Sequence, residues 1–133
     1  MNHLRVTSPL IDAHGRVARN LRVSLTDRCN LRCAYCMPPE GLAWLPRADV
    51  LTDDEVLRLV RIGVERLGIR SVRFTGGEPL LRPHLEEIVA AAAALRTPDG
   101  TAPFLALTTN GVGLASRADD LRAAGIARIN VSL

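Results

Sequence analysis

The chain has 133 residues, and 47% of them are hydrophobic, so it is long enough for one domain with a buried core and too apolar for a disordered segment. All 17 basic residues are arginines, the net charge is only +3, and the sequence has no basic cluster of the kind that binds nucleic acid. The N-terminus shows no secretory pattern, and the longest apolar run, IVAAAAAL, is far shorter than the ~20 residues that cross a bilayer. We therefore expect a cytoplasmic protein with neither a nucleic-acid nor a membrane partner.

The first predicted elements are an irregular segment, a strand and a long loop. Residues 1–20 are polar and show no periodicity, so the folded domain is expected to span 21–133. Apolar and polar residues alternate in LRVSLT, 21–26, which predicts a strand. The proline-containing stretch 38–50 is predicted to be a loop.

The hydrophobic period changes from that of a strand to that of a helix after residue 51. Thr52 and Glu55 form a predicted capping box, and Gly68 is predicted to end the helix. The apolar face of this helix is predicted to comprise Val56, Leu59, Val60, Val64 and Leu67. The later elements are predicted as strand 69–75, a turn at GGEP, a helix from Pro83 to about Arg96, strand 104–109, helix 114–124 and strand 127–133.

The alternation of strands and helices predicts an α/β fold with a parallel sheet of about four strands joined by crossover helices. The unusual stretches CNLRCAYC, GGEP and TNG all follow strands, at the edge of the sheet where α/β proteins carry their chemistry. Four strands cannot close an eight-unit barrel of about 250 residues. Because the apolar strand with Ile129, Val131 and Leu133 would also be left uncovered, we expect an incomplete (β/α) barrel that belongs to a longer protein.

All three cysteines lie in CNLRCAYC, spaced C-x3-C-x2-C. Inert core thiols are not expected to cluster in a polar loop, and a structural zinc site would need a fourth ligand at finger-like spacing. A thioredoxin-like site is also a poor match, because the motif does not open a helix after the usual strand. An iron–sulfur cluster fits better, since three thiolates would hold three irons of a cubane and leave the fourth iron open.

The C-x3-C-x2-C motif with an aromatic residue before its last cysteine resembles the signature of radical S-adenosylmethionine (SAM) enzymes, and GGEP resembles their SAM-binding turn. The stretches GRVARNLRVSLTDRCNLRCAYCMPPEG, VRFTGGEPLLRP, LTTNG and RINVSL resemble the molybdenum-cofactor biosynthesis protein A family, the GTP 3′,8-cyclases. The resemblance covers essentially the whole chain but only the N-terminal part of that family, and it implies a radical SAM core.

The resemblance also implies the site residues. The [4Fe-4S] ligands would be Cys29, Cys33 and Cys36; the SAM contacts would be Tyr35, Gly77 and Ser132; and the GTP contacts would be Arg22, Arg73 and Thr108. A side chain at Gly77 would intrude on SAM, on this interpretation. From the residues alone, other roles stay open: solvated or ion-paired arginines, a helix cap or a SAM ammonium partner at Glu78, and a plain turn at Asn110.

The chemistry implied by the family is conversion of GTP to (8S)-3′,8-cyclo-7,8-dihydroguanosine 5′-triphosphate through a 5′-deoxyadenosyl radical. It requires an external electron donor, and a homodimer stays open. A second [4Fe-4S] cluster, which binds the guanine base, is expected only in a C-terminal part that this chain does not contain. The activity of this chain alone is therefore an open question, and the alternatives are a non-catalytic [4Fe-4S]/SAM-binding module or another radical SAM enzyme.

Overall fold

The computed structural model of the protein describes residues 8–31 and 43–132. One sheet of four parallel strands runs through it in the order β1-β2-β3-β4. The strands are β1 (Asn20–Ser24), β2 (Ser71–Thr75), β3 (Phe104–Thr109) and β4 (Arg128–Val131). The predicted α/β fold with parallel strands is confirmed.

In the described part of the chain, one α-helix lies between each pair of successive strands, as is usual for parallel connections. These helices are α1 (Asp53–Arg61), α2 (Leu85–Ala93) and α3 (Ala118–Ala124). The predicted capping box begins α1: the amide of Glu55 donates to the Thr52 hydroxyl at 3.2 Å, and the Thr52 amide donates to the Glu55 carboxylate at 2.8 Å. No helix in the described part of the chain is long and apolar enough to cross a membrane.

The helices cover one face of the sheet and bury its alternate residues. On this face Val72, Phe74, Leu105 and Leu107 are each at most 1% exposed. Their partners in the hydrophobic core come from all three helices and include Val56, Val60, Leu85, Ile88 and Leu121. This one-sided core fixes the register of the strands, because a slip by one residue would turn the apolar set away from the helices.

The other face of the sheet is polar and more exposed. Strand alternation and the pairing register place Arg22, Arg73, Ala106 and Arg128 in one row across the four strands. The next row toward the carboxyl ends contains Ser24, Thr75, Thr108 and Asn130. We call this surface the open face; its residues in the four described strands include no carboxylate.

The predicted helix boundaries needed three corrections. Regular α-helix ends at Arg61 and continues as a π-helical turn, Ile62–Arg66, before Gly68 ends it at φ +71°. Helix α2 begins at Leu85 rather than near Pro83, because His84 turns the chain with φ +61°. Helix α3 begins four residues later than predicted, since consecutive turns occupy the stretch before Arg117.

The predicted apolar face of α1 was also partly wrong. Val56, Val60 and Val64 are buried, but Leu59 is 55% exposed. Leu59 lies on the flank of the apolar stripe, about 60° from Val56 at 100° per residue, and the sheet packs against the other side.

The ends of the described chain are less regular. Ile11 and Val17 form an isolated antiparallel bridge within the segment predicted to be irregular. On β4, Ile129 packs against the core, whereas Val131 is 50% exposed, so the predicted apolar edge is only partly uncovered. Leu133 lies outside the described residues.

Candidate functional site

Three loops meet at the carboxyl edge of the sheet. They follow β1 at Thr26–Cys29, β2 at Gly76–Glu78 and β3 at Asn110. This edge is where parallel α/β sheets place their ligands.

Backbone hydrogen bonds pair residues 76–78, which we call the glycine turn, with residues 26–29, the start of the loop after β1 that we call the cysteine loop. The amide of Gly77 donates to the Thr26 carbonyl at 2.7 Å, and the amide of Glu78 donates to the Arg28 carbonyl at 2.7 Å. The turn therefore continues the β1–β2 ladder beyond the strands and holds the residue just before Cys29.

This pairing explains why both positions are glycine, and the reason differs from the one expected from sequence. A Cβ at Gly77 would lie 2.2 Å from the Arg28 carbonyl oxygen, and one at Gly76 would lie 2.6 Å from the Thr26 carbonyl oxygen. The obstacle described by the structure is the chain's own backbone. A side chain at Gly77 would thus displace the cysteine loop whether or not SAM lies nearby.

Glu78 is fully buried and joins two of the loops. Its carboxylate accepts hydrogen bonds from the Leu80 amide at 3.0 Å, the Thr109 hydroxyl at 2.6 Å and the Asn110 amide at 2.7 Å. The sequence left open that Glu78 caps the next helix, but the structure shows that it caps the 3₁₀ turn Pro79–Leu81, while His84 precedes α2. The bonds to β3 were not anticipated, since residues 31 and 32 positions apart give no local sequence signal.

Asn110 makes the turn expected of it and also reaches the cysteine loop. Its side-chain oxygen accepts from the Val112 amide at 3.0 Å, and its side-chain nitrogen donates to the Asn30 oxygen at 2.7 Å. Asn30 follows Cys29 directly, so loops from β1, β2 and β3 form one hydrogen-bonded network through Asn30, Asn110 and Glu78.

Cys29 is the member of the three-thiol motif that the structure describes, and it is half-buried. Cys33, Tyr35 and Cys36 lie outside the described residues. Within the ranges 8–31 and 43–132, no three His, Cys, Asp or Glu side chains converge as a metal site.

A cavity of about 420 Å³ lies beside this loop, lined in part by Ser24, Asp27, Gly76 and Gly77. One carboxylate oxygen of Asp27 accepts from the Leu45 amide at 2.6 Å, while the other is buried without a hydrogen-bond partner. A buried oxygen of this kind normally has a partner, so Asp27 has capacity for a donor at the cavity wall.

The predicted nucleotide contacts lie on the open face. Arg22 pairs in register with Arg73, and strand alternation directs both away from the helices. Thr108 shares this face, and its hydroxyl oxygen is buried without a hydrogen-bond partner. Ser132 continues the ladder after β4, with its amide donating to the Thr109 carbonyl at 2.8 Å.

Arg82 is a further residue of this region that sequence reasoning missed. It is 8% exposed, and its guanidinium donates to the Leu25 carbonyl at 2.6 Å, the Leu51 carbonyl at 2.7 Å and the Asp53 carboxylate at 2.8 Å. It thereby ties the end of β1 to the start of α1. In a sequence with 17 arginines, nothing local marks this one as buried.

The family profile described as "Radical SAM superfamily" matches residues 23–133. The chain belongs to the radical SAM superfamily. Membership implies a [4Fe-4S] cluster and SAM, and the described residues fit them: Cys29 supplies a thiol at the carboxyl edge, and Asp27, two residues earlier, lines the cavity and has a buried oxygen without a hydrogen-bond partner.

The chain is also similar to curated proteins whose names are more specific than that of the superfamily. The chain is 64% identical over 124 residues to a GTP 3′,8-cyclase of Corynebacterium glutamicum, covering 93% of the chain and 33% of that protein. It is 63% identical over 127 residues to a GTP 3′,8-cyclase of a Mycobacterium species, covering 96% of the chain and 35% of the relative. A GTP 3′,8-cyclase 2 of Mycobacterium tuberculosis gives 63% identity over 127 residues, 96% of the chain and 34% of the relative. The chain thus spans about a third of the length of these relatives.

Proposed function

We propose that the protein to which this chain belongs is a GTP 3′,8-cyclase of molybdenum cofactor biosynthesis. This chain would supply the cluster, the SAM site and part of the GTP site. The observation that carries the proposal is the placement of Arg22 and Arg73 side by side on the open face, on the two strands whose carboxyl ends lead to Cys29 and Gly77.

The proposed cofactor contacts are those that the family resemblance of the sequence motifs implies. Cys29, Cys33 and Cys36 hold the cluster, and Tyr35, Gly77 and Ser132 contact SAM. When bound, the [4Fe-4S] cluster with SAM supplies one-electron cleavage of SAM and hence abstraction of a ribose hydrogen from GTP. The role of the hydrogen-bonded loops is to hold the cysteine loop and the glycine turn in fixed relation.

The proposed substrate contacts use the open face. The planar guanidinium forks of Arg22 and Arg73 suit the oxygens of a triphosphate, and the Thr108 hydroxyl can donate to or accept from the nucleotide. These contacts orient GTP with respect to the carboxyl edge, which matters because hydrogen abstraction needs reacting atoms within about 3.5 Å. A second [4Fe-4S] cluster would bind the guanine base from a part of the protein beyond this chain.

The remaining partners would be an external one-electron donor and a second copy of the protein in a homodimer; the proposed location is the cytoplasm. None of the four described strands contains a lysine, so the positively charged groups on the open face are all arginines.

The decisive experiment uses the full-length protein, reconstituted anaerobically with iron and sulfide and supplied with SAM, a reductant and GTP. If the proposal is right, 5′-deoxyadenosine and the cyclised nucleotide should both form, and their amounts should rise together during the reaction. Arg22→Ala and Arg73→Ala should abolish cyclisation, whereas Arg122→Ala on the exposed surface of α3 should not. Cleavage of SAM without any cyclised nucleotide would indicate another radical SAM enzyme, and cluster binding without SAM cleavage would indicate a non-catalytic module.

A further inference from the structure

Arg128 lies in the same row of the open face as the two arginines already assigned to GTP. The register runs from Arg22 to Arg73, then to Ala106 and Arg128. With about 4.8 Å between neighbouring strands, Arg128 stands roughly 10 Å from Arg73 at the level of the backbone. Long arginine side chains from both sides can therefore reach a common anion.

The residue between them favours this convergence. Ala106 faces away from the helices, yet it is only 2% exposed, so side chains of the open face must close over it. A larger residue there would separate the arginines on either side. The small methyl group of Ala106 instead leaves space in which the guanidinium groups can approach each other.

The charges in this row are not neutralised by the described chain. Four arginines elsewhere in the described chain pair with carboxylates: Arg16 with Asp12, Arg70 with Asp99, Arg82 with Asp53 and Arg117 with Glu86. Within residues 8–31 and 43–132, by contrast, Arg22, Arg73 and Arg128 have no carboxylate partner. Three like charges in one row repel one another, and a polyanion would relieve that repulsion.

Arg128 is also held in position. Its guanidinium carbon lies 5.8 Å from the centroid of the Phe104 ring, which belongs to the same face two residues before Ala106. A cation–π contact of this kind uses the flat face of the guanidinium and leaves its in-plane N–H groups for an anion.

We propose that Arg128 is a third phosphate-binding arginine, which together with Arg22 and Arg73 cradles the polyphosphate tail of the nucleotide. The inference rests on the proposed function, because it takes GTP as the occupant of the open face. It extends that function by making β4 part of the phosphate site, opposite β1 across the sheet.

The test measures equilibrium binding of GTP, guanosine and inorganic tripolyphosphate to the full-length protein, as wild type, Arg128→Ala, Arg128→Lys and Arg122→Ala. Arg122 is the matched control, an exposed arginine on the helix side of the sheet. Arg128→Ala should weaken GTP and tripolyphosphate at least about ten-fold and leave guanosine unchanged, since it removes charged hydrogen bonds to phosphate only. Arg128→Lys should lose less, and Arg122→Ala should match the wild type.

The outcomes separate this inference from the proposed function. If the wild type binds GTP and Arg128→Ala binds tripolyphosphate as tightly as Arg122→Ala, the role of Arg128 is refuted and the proposed function stands. If the wild type binds neither GTP nor tripolyphosphate, both are refuted. An equal loss of affinity for guanosine and GTP in a variant with unchanged melting temperature would also refute it, because it would place Arg128 away from the phosphates.

Discussion

The hydroxyl of Thr109 donates a 2.6 Å hydrogen bond to the carboxylate of Glu78, which is fully buried at the carboxyl edge of the sheet. The bond joins the end of β3 to the glycine turn after β2. Because that turn also pairs with the backbone at Thr26 and Arg28, the geometry of the cysteine loop depends on a carboxylate that faces no solvent.

Glu78→Gln should destabilise the protein by about 1–3 kcal/mol. Glu78 accepts three hydrogen bonds, and an amide can replace only one carboxylate oxygen, so at least one buried donor such as the Asn110 amide loses its partner. Chemical denaturation measures the free energy of unfolding. The control is Glu87→Gln, whose side chain is 78% exposed on α2, and it should change stability by less than about 0.5 kcal/mol. Equal stability of the two variants would contradict the assigned role of Glu78.

Gly77→Ala should lower both stability and the iron content after reconstitution. The added Cβ would lie 2.2 Å from the Arg28 carbonyl oxygen, and neither backbone can move without disturbing the paired loops. Overpacking of this kind costs about 1–3 kcal/mol. Gly63→Ala is the matched control, because its Cβ would meet only side chains at 3.4 Å or more and its φ is not positive. A Gly77→Ala protein that unfolds and loads iron like Gly63→Ala would show that the loop tolerates the side chain.

The sequence predicted those features that have local signals. Apolar–polar alternation predicted β1, the Thr52–Glu55 spacing predicted the start of α1, and Gly68 predicted the end of the π-helical turn that continues α1. Helix α2 was placed too early because a proline at 83 suits a first turn, whereas the left-handed His84 has no sequence signature of its own.

The features that escaped prediction depend on residues far apart in the chain. The orientation of Arg22 and Arg73 follows from which face of the sheet the helices cover, which is decided by packing of the whole domain. The bonds of Glu78 to Thr109 and of Arg82 to Leu25 span 31 and 57 positions and need the folded sheet to exist. Likewise, the glycine pair suggested a ligand contact, but the backbone that requires it lies about fifty residues earlier in the sequence.

The Glu86–Arg117 pair should give stability that depends on pH. Arg117 donates through two nitrogens, to the two Glu86 oxygens at 2.6 and 2.7 Å, and this side-chain hydrogen bonding lowers the pKa of Glu86 below its ordinary value of 4.5. A carboxyl with a lowered folded pKa stabilises the fold fully above the unfolded pKa and loses that effect as pH falls through the folded pKa.

The free energy of unfolding of wild type should therefore exceed that of Glu86→Gln by about 1 kcal/mol from pH 5 to 7, and the difference should shrink below pH 4.5. The exposed Glu87→Gln control should show a small difference throughout this range. A wild-type advantage that instead grows as the pH falls would rule out the charged pair as its source.

The cysteine loop should bind an air-sensitive [4Fe-4S] cluster. Cys29, Cys33 and Cys36 are the chain's only cysteines, and three thiolates from one short loop suit a cubane with one open iron better than a four-ligand zinc site. The full-length protein is reconstituted anaerobically, and its iron and sulfide contents are measured. Cys29→Ser should contain four fewer irons and four fewer sulfides per chain than wild type. SAM should alter the electron paramagnetic resonance spectrum of the reduced cluster in wild type. It should not do so in that variant, because the change depends on the open iron of the cluster that this loop holds. Stoichiometric zinc without labile sulfide in the wild-type protein, or a cluster content unaffected by the substitution, would show that these cysteines bind something else.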